Sequence, residues 1–341
     1  MNMNKYDLLK ATIEGQETER VPCSVWMHFS QYDQDPRSLA EHQVEFCKKY
    51  DYDFIKLMPF GAYSTQDWGS KIEIYCDPYK EPVIVKPGIE CIDDYYKIKP
   101  LKGLHGTHGQ VVQLAAHVQR LTDEQIPYLQ TIFSPGTTLK KLSHKGLLDD
   151  MREHPEAVHT ALRAITETTI DFINENLKYG VSGFFFANQF ASYDTIDDDL
   201  FKEFIEPYDM VVMDAYKDKT WFNVAHIHGS NIMFDKVKNY PCNVLSWHDR
   251  DTYPSIKEAA ELTDKCFLGG IHEVPTIIDG KLSYASVLAS KSKDEIIEHV
   301  HQAIDMAGAK NLIVGPGCVC DPRTSEANLH AVREAVGNYK Y

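Results

Sequence analysis

The sequence predicts a single (β/α)8 barrel of the TIM type, an α/β fold in which a parallel sheet closes on itself under a coat of helices. Three observations predict it. Short β-branched or aromatic runs alternate eight times with longer runs of helical apolar spacing. No GxGxxG or phosphate-binding loop follows the first strand, as an open nucleotide-binding sheet would require. No internal repeat, low-complexity tract or linker divides the 341 residues. Parallel neighbours need crossover connections, which the intervening helices supply. One domain over 1–341 is therefore expected.

The opening stretch 1–16 reads as an amphipathic helix and not as a signal peptide. Residues 21–29 (VPCSVWMHF) form the first predicted strand and 53–59 (DFIKLMP) the second, with a helix over 38–49 between them. The stretch 61–127 is too long for a simple crossover. Its KIEIYC and EPVIVK runs, separated by Asp77, Pro78, Tyr79 and Lys80, predict a β-hairpin insertion between strands two and three. Strand three is 128–133 (YLQTIF), followed by helical segments over 138–177, and strand four is 183–188 (GFFFAN). A helix over 197–217 opens on Asp197, Asp198 and Asp199, whose charge suits its positive end. Strands five to eight fall at 220–228, 243–247, 266–271 and 312–314, with helices at 232–238, 254–262, 293–306 and 325–336.

Lys and Arg total 35 against 50 Asp and Glu, a net charge of −15, which excludes a basic nucleic-acid binder. Nothing approaches the roughly 20 apolar residues of a membrane span, so a cytoplasmic protein is expected. Eight scattered cysteines in a long chain read as reduced thiols, most of them buried.

Barrel chemistry sits at the C-terminal ends of the strands. There the sequence places His28, Asn188, Gln189, His226, His228, Trp247, His248, Asp249, His272, Glu273, Cys318 and Cys320. His226 and His228 alternate on one strand, so both point to the same face, an arrangement that can grip one metal ion and equally can be structural. Cys318 adds a thiolate from across the barrel mouth, and two imidazoles with one thiolate leave a position of tetrahedral zinc open. Cys320 is read as structural. His28, His248 and His272 have an alternative role as pocket-lining or capping residues. Trp26, Trp247 and the Phe184–Phe186 run read as core or pocket wall.

Several segments carry a family resemblance: ERVP before strand one, TIFSPGTTL after strand three, HIHG on five, SWHDR on six, FLGGI on seven, and GPGC followed by DPRTSEANLHAVREAV. In order and spacing they resemble the uroporphyrinogen decarboxylase superfamily, which includes the cobalamin-dependent methyltransferases of methanogens and the O-demethylases of acetogens. The resemblance implies a (β/α)8 barrel. True decarboxylases hold substrate carboxylates with an RQAGR-type segment after the strand-one Trp. Here that stretch is WMHFSQYD, with Phe29 and Asp33 at the arginine positions. The family's aspartate after strand two is missing in KLMPFG. Its tyrosine after strand three is replaced in FSPG, and its histidine after strand eight gives way to GPGC.

The methyltransferase branch builds its zinc site from an HxC on strand five and a cysteine in a PGCG-like turn, which map onto His226, His228 and Cys318. Histidine replaces the middle cysteine. That leaves the zinc one charge unit more positive, favouring an alkoxide or water over a thiolate. The implied function is a zinc-dependent methyltransferase moving a methyl group between a small-molecule thiol or oxygen and the cobalt of a separate corrinoid protein. His28, Asn188, Gln189, Tyr193, Trp247, His248 and His272 are the candidates for binding the substrate. Members of the family are often homodimers. Two alternatives stand beside this reading: a metal-free decarboxylase of a pyrrolic acid, and a non-enzymatic tetrapyrrole or corrinoid binder with His226 or His228 as axial ligand. The decarboxylase would need Arg20 or Arg37 in place of the missing arginines, and Arg20 precedes strand one, at the wrong end.

Overall fold

The computed structural model describes residues 3–273, 277–278, 281–282 and 286–340. Its centre is a parallel sheet of seven strands: β1 (Ile55–Lys56), β2 (Tyr128–Phe133), β3 (Gly183–Asn188), β4 (Val224–Ile227), β5 (Val244–Trp247), β6 (Cys266–Ile271) and β7 (Leu312–Pro316). They pair in chain order, each parallel to the next. Period-two alternation sorts their side chains into two apolar layers. Phe185, Val224, Leu268 and Ile313 pack inside the curl of the sheet with Trp26 and Phe54. Phe184, Phe186, Ala225 and Ile227 face the surrounding helices.

The first predicted strand takes a different form. Residues 21–29 contribute only an isolated parallel bridge, Cys23 to Val314. Pro22 has no N–H to give a ladder, and Ser24 spends its hydroxyl on Phe54 O at 2.7 Å. The segment nonetheless bonds to both edges of the sheet: Val314 N donates to Pro22 O and Ser24 N to Val314 O on one side, and Asp53 N donates to Cys23 O on the other. Beyond Phe29 the chain turns into a 3-10 helix, Ser30–Tyr32.

The stretch 61–127 contains two antiparallel strands, Lys71–Glu73 and Val83–Lys86. It also contains a 17-residue helix, Gly106–Thr122, that the sequence reading missed. Two glycines and a histidine in its first turn blur its start, yet Val111, Val112, Leu114, Ala115 and Val118 are buried. The predicted 197–217 helix is two helices, Asp198–Phe204 and Glu206–Asp214. Pro207 lacks the N–H for an i−4 bond and its ring would strike the preceding turn, so the ladder breaks at Ile205. Asp197 caps the first of them, accepting from Leu200 N at 2.9 Å. Among the described residues no helix is long and apolar enough to cross a membrane.

Candidate metal centre

The inward register of β4 carries Val224 into the apolar interior and His226 just above it, where its ring stacks on Phe185 at 5.1 Å. His228, two residues on, points the same way from beyond the strand end, its N–H donating to Asn188 O. His248 follows β5 and Cys318 follows β7. These four residues offer ligand atoms that all lie within 4.8 Å of one another. His248 Nε2 is 3.1 Å and Cys318 Sγ 3.8 Å from His228 Nδ1. Zinc bonds of about 2.0–2.3 Å set tetrahedral edges of roughly 3.3–3.8 Å, so the two distances to His228 Nδ1 are close to those around one ion and the widest spacing would have to contract.

The chemistry of the donors fits as well. Burial, with His248 beside it, pulls His228 down to about 4, and burial holds His226 well below its ordinary value. Both rings are therefore neutral near pH 7 with a lone pair available. Burial, reinforced by Glu273, pushes the Cys318 thiol up to about 11, so a cation must displace its proton. His226 Nδ1 lies 3.3 Å from Ser246 Oγ, and His248 Nδ1 lies 2.6 Å from the buried Glu273 carboxylate. Such partners fix the orientation of metal-binding imidazoles.

The cluster opens on a cavity of about 180 Å³ whose walls include Trp26, His28, Lys56, Thr131, Phe185 and Gln189. Of the residues expected to bind substrate, His28 and Gln189 line it, and His248 belongs to the ligand cluster. The structure does not bring the other four to the cavity wall. Asn188 is spent within the fold, donating to Asp209 and capping the Phe190 and Ala191 N–H groups. Trp247 is buried and donates to Pro254 O. His272 pairs with Asp251. Tyr193 is exposed and its hydroxyl meets Asp235. All four follow or end strands in the sequence, but their side chains are engaged outside the cavity, which a spacing rule does not reveal.

Lys56, Lys141 and Glu81 line the same cavity and were missed. Lys56 had a readable signal, since Phe54, Lys56 and Met58 alternate along one strand and the lysine shares their inward face. Glu81 arrives from the antiparallel pair, 3.5 Å from His28, and no local pattern announces it. Lys56 Nζ rests on Met58 Sδ at 2.7 Å and over the Phe185 ring at 4.4 Å. Lys141 Nζ donates to Gly61 O at 2.5 Å and lies over the Phe133 ring. Among the described residues neither ammonium pairs with a carboxylate. Burial lowers Lys56 to about 7 and Lys141 to about 8. Both are charged at pH 6 and largely neutral at pH 9, so attraction for an anion present at pH 6 is lost as pH rises. A charged hydrogen bond of about 1.5–3 kcal/mol makes that loss about tenfold or more. Calorimetric titration with propionate is expected to show it, and Lys56→Met should shrink the pH dependence to the part that Lys141 supplies. A flat wild-type profile would contradict the assignment.

A sequence model of the family Uroporphyrinogen decarboxylase (URO-D) matches residues 4–339. The chain belongs to the uroporphyrinogen decarboxylase family. It is similar to proteins named methylcobamide:CoM methyltransferase MtbA. The relative from Methanosarcina acetivorans is 20% identical and that from Methanosarcina mazei 22%, each over 265 residues, or 78% of this chain and 74% of the relative. A solved methyltransferase from Methanosarcina mazei superposes with a TM-score of 0.78 at 17% identity, covering 98% of both chains. A B12-independent methionine synthase from Shewanella sp. W3-18-1 superposes at 0.57 with 13% identity, covering 93% of each. At these identities the solved structures establish the shared fold.

Proposed function

We propose that this enzyme is a zinc-dependent methyltransferase that moves a methyl group between a small-molecule thiol or oxygen and the cobalt of a separate corrinoid protein. The observation that carries the reading is the His and Cys cluster at the strand ends, opening directly on a small cavity. His226, His228 and Cys318 are the proposed metal ligands. Bound zinc would supply a Lewis acid that keeps an acceptor's thiol or hydroxyl deprotonated near neutral pH. The chain's own residues do the rest. Lys56 and Lys141 add positive potential on the facing wall, favouring the anionic form of the acceptor. His28 and Gln189 offer hydrogen bonds that orient it, and Trp26, Phe133 and Phe185 exclude water from the reacting atoms.

At about 180 Å³ the cavity is smaller than the roughly 300–1,000 Å³ of pockets for drug-sized ligands. It suits a small methyl donor or acceptor, while a corrinoid macrocycle would sit over the mouth on its own protein. The described cavity wall contains two lysines and no arginine, which favours this over holding a polycarboxylate porphyrinogen. In this reading residues 22–24 are the eighth stave of a closed (β/α)8 barrel, one domain over 1–341, and the antiparallel pair is an insertion that delivers Glu81 to the rim.

The test is spectroscopic. Zinc-loaded protein is mixed with methylcobalamin and a panel of short thiols and alcohols, and loss of the cobalt–methyl absorbance is followed. Turnover that depends on zinc is expected. Protein that carries no zinc, or that leaves methylcobalamin intact with every acceptor while decarboxylating a porphyrinogen, would overturn the proposal.

A further inference from the structure

One buried carboxylate touches two of the loops that carry the cluster. Glu273, the second residue beyond β6, is 7% exposed. Its Oε1 lies 2.6 Å from His248 Nδ1, and its Oε2 accepts from Gly317 N at 2.8 Å. Gly317 immediately precedes Cys318. We infer that Glu273 is the positioning residue of the metal centre: it aims His248 Nε2 into the cluster as a fourth ligand and pins the turn that presents Cys318. The inference rests on the zinc reading above.

The glycine supplies a second observation. A Cβ built on Gly317 would come within 2.9 and 3.0 Å of the two Glu273 oxygens and 2.8 Å of Trp247 O. The turn packs so tightly on the carboxylate that a side chain there would displace it. Glycine in the GPGC segment is thus explained by the approach of Glu273 to the backbone. A carboxylate is also the only common side chain of this length with two acceptors. It can take the His248 N–H and the Gly317 N–H at once, fixing the imidazole tautomer that leaves Nε2 free to bind. Glutamine has one acceptor oxygen and one donor group, so it cannot accept from both, and donating to His248 Nδ1 would fix the opposite tautomer.

The donor set then becomes three imidazoles and one thiolate, which suits zinc. With His248 included, the chain itself would offer four donors to the ion: His226, His228, His248 and Cys318. A second copy of the chain is not needed, because every donor comes from one chain.

The test measures metal, not turnover. Zinc affinity by competition with a chelating dye, and the visible spectrum of the cobalt(II)-substituted protein, are compared for wild type, Glu273→Ala, Glu273→Gln, Gly317→Ala and His248→Ala, with circular dichroism as the check on folding. Loss of such an outer partner typically weakens metal binding about 10–100-fold. That loss is expected for Glu273→Ala, a smaller one for Glu273→Gln, and a shift in the same direction for Gly317→Ala, which alters no ligand. The cobalt bands should change in Glu273→Ala and His248→Ala alike, and the two losses should be non-additive in the double variant. A wild type that binds zinc, with Glu273→Ala and Gly317→Ala matching it in affinity and spectrum, overturns the inference alone. A wild type that binds no metal overturns both this and the zinc reading.

Discussion

Replacing His228 or Cys318 by alanine is expected to abolish stoichiometric zinc and, with it, all but a small fraction of methyl transfer. His228 has both His248 Nε2 and Cys318 Sγ within 3.8 Å of its Nδ1, so it stands at the middle of the cluster. Cys318 brings the one anionic donor. A Lewis acid contributes several kcal/mol to stabilising charge in the transition state. At about 1.4 kcal/mol per decade, its loss lowers kcat/KM by about 10³-fold. His226→Ala should behave similarly, though that ring is also stacked on Phe185 and its removal opens a cavity. Metal analysis of the purified variants and the methylcobalamin assay check this together. Full zinc content in Cys318→Ala would show that the ion sits elsewhere.

A large loss of stability, without loss of the metal, is expected at the opposite end of the sheet. Arg20 meets Asp53 through two parallel bonds of 2.7 and 2.6 Å, and Asp53 also accepts from Cys23 N at 2.8 Å. This fork ties the segment entering residues 22–24 to the start of β1. Asp53 is fully buried. Arg20→Met leaves its charge with only Lys5 Nζ, at 4.0 Å, as a cationic neighbour among the described residues, and removing the close partner of such a pair costs about 3–5 kcal/mol. Arg20→Lys should recover only part, since an ammonium cannot make the planar two-point contact. The thermal unfolding midpoint is the readout, with zinc content expected near wild type. Unfolding of Arg20→Met at the wild-type temperature would refute the role. The same pair explains why Arg20 is unavailable to a substrate carboxylate at the far end.

Much of the architecture is legible in the chain because strand and helix periods differ. YLQTIF, GFFFAN and CFLGGI are short apolar runs, and each corresponds to an observed strand with the same bounds. VPCSVWMHF has the same composition, but proline and a hydroxyl that caps a neighbouring carbonyl reduce it to a bridge. The helix Gly106–Thr122 was hidden by glycines at its start, and the helix after β3 was overextended across Pro207. In the site, HxH and GPGC are readable because their spacing alone sets which face or turn they occupy.

Lys141, Glu81 and Glu273 are a different matter. Lys141 sits in the last turn of a helix, where a solvated lysine is the ordinary expectation, and only the tertiary fold sets its ammonium over the Phe133 ring. Glu273 stands beside other polar strand-end residues, and nothing local distinguishes it from Asp249 or Asp251.

By itself the sequence determined the family, the alternation of strands and helices, and which strand ends hold histidine and cysteine, because those follow from local period and short motifs. Tertiary structure alone decided which polar side chains face the cavity, that His248 joins the cluster, and that one carboxylate holds both it and the Cys318 turn. These depend on the curl of the sheet, which brings together residues such as His228 and Cys318, 90 positions apart, and no local preference encodes that distance.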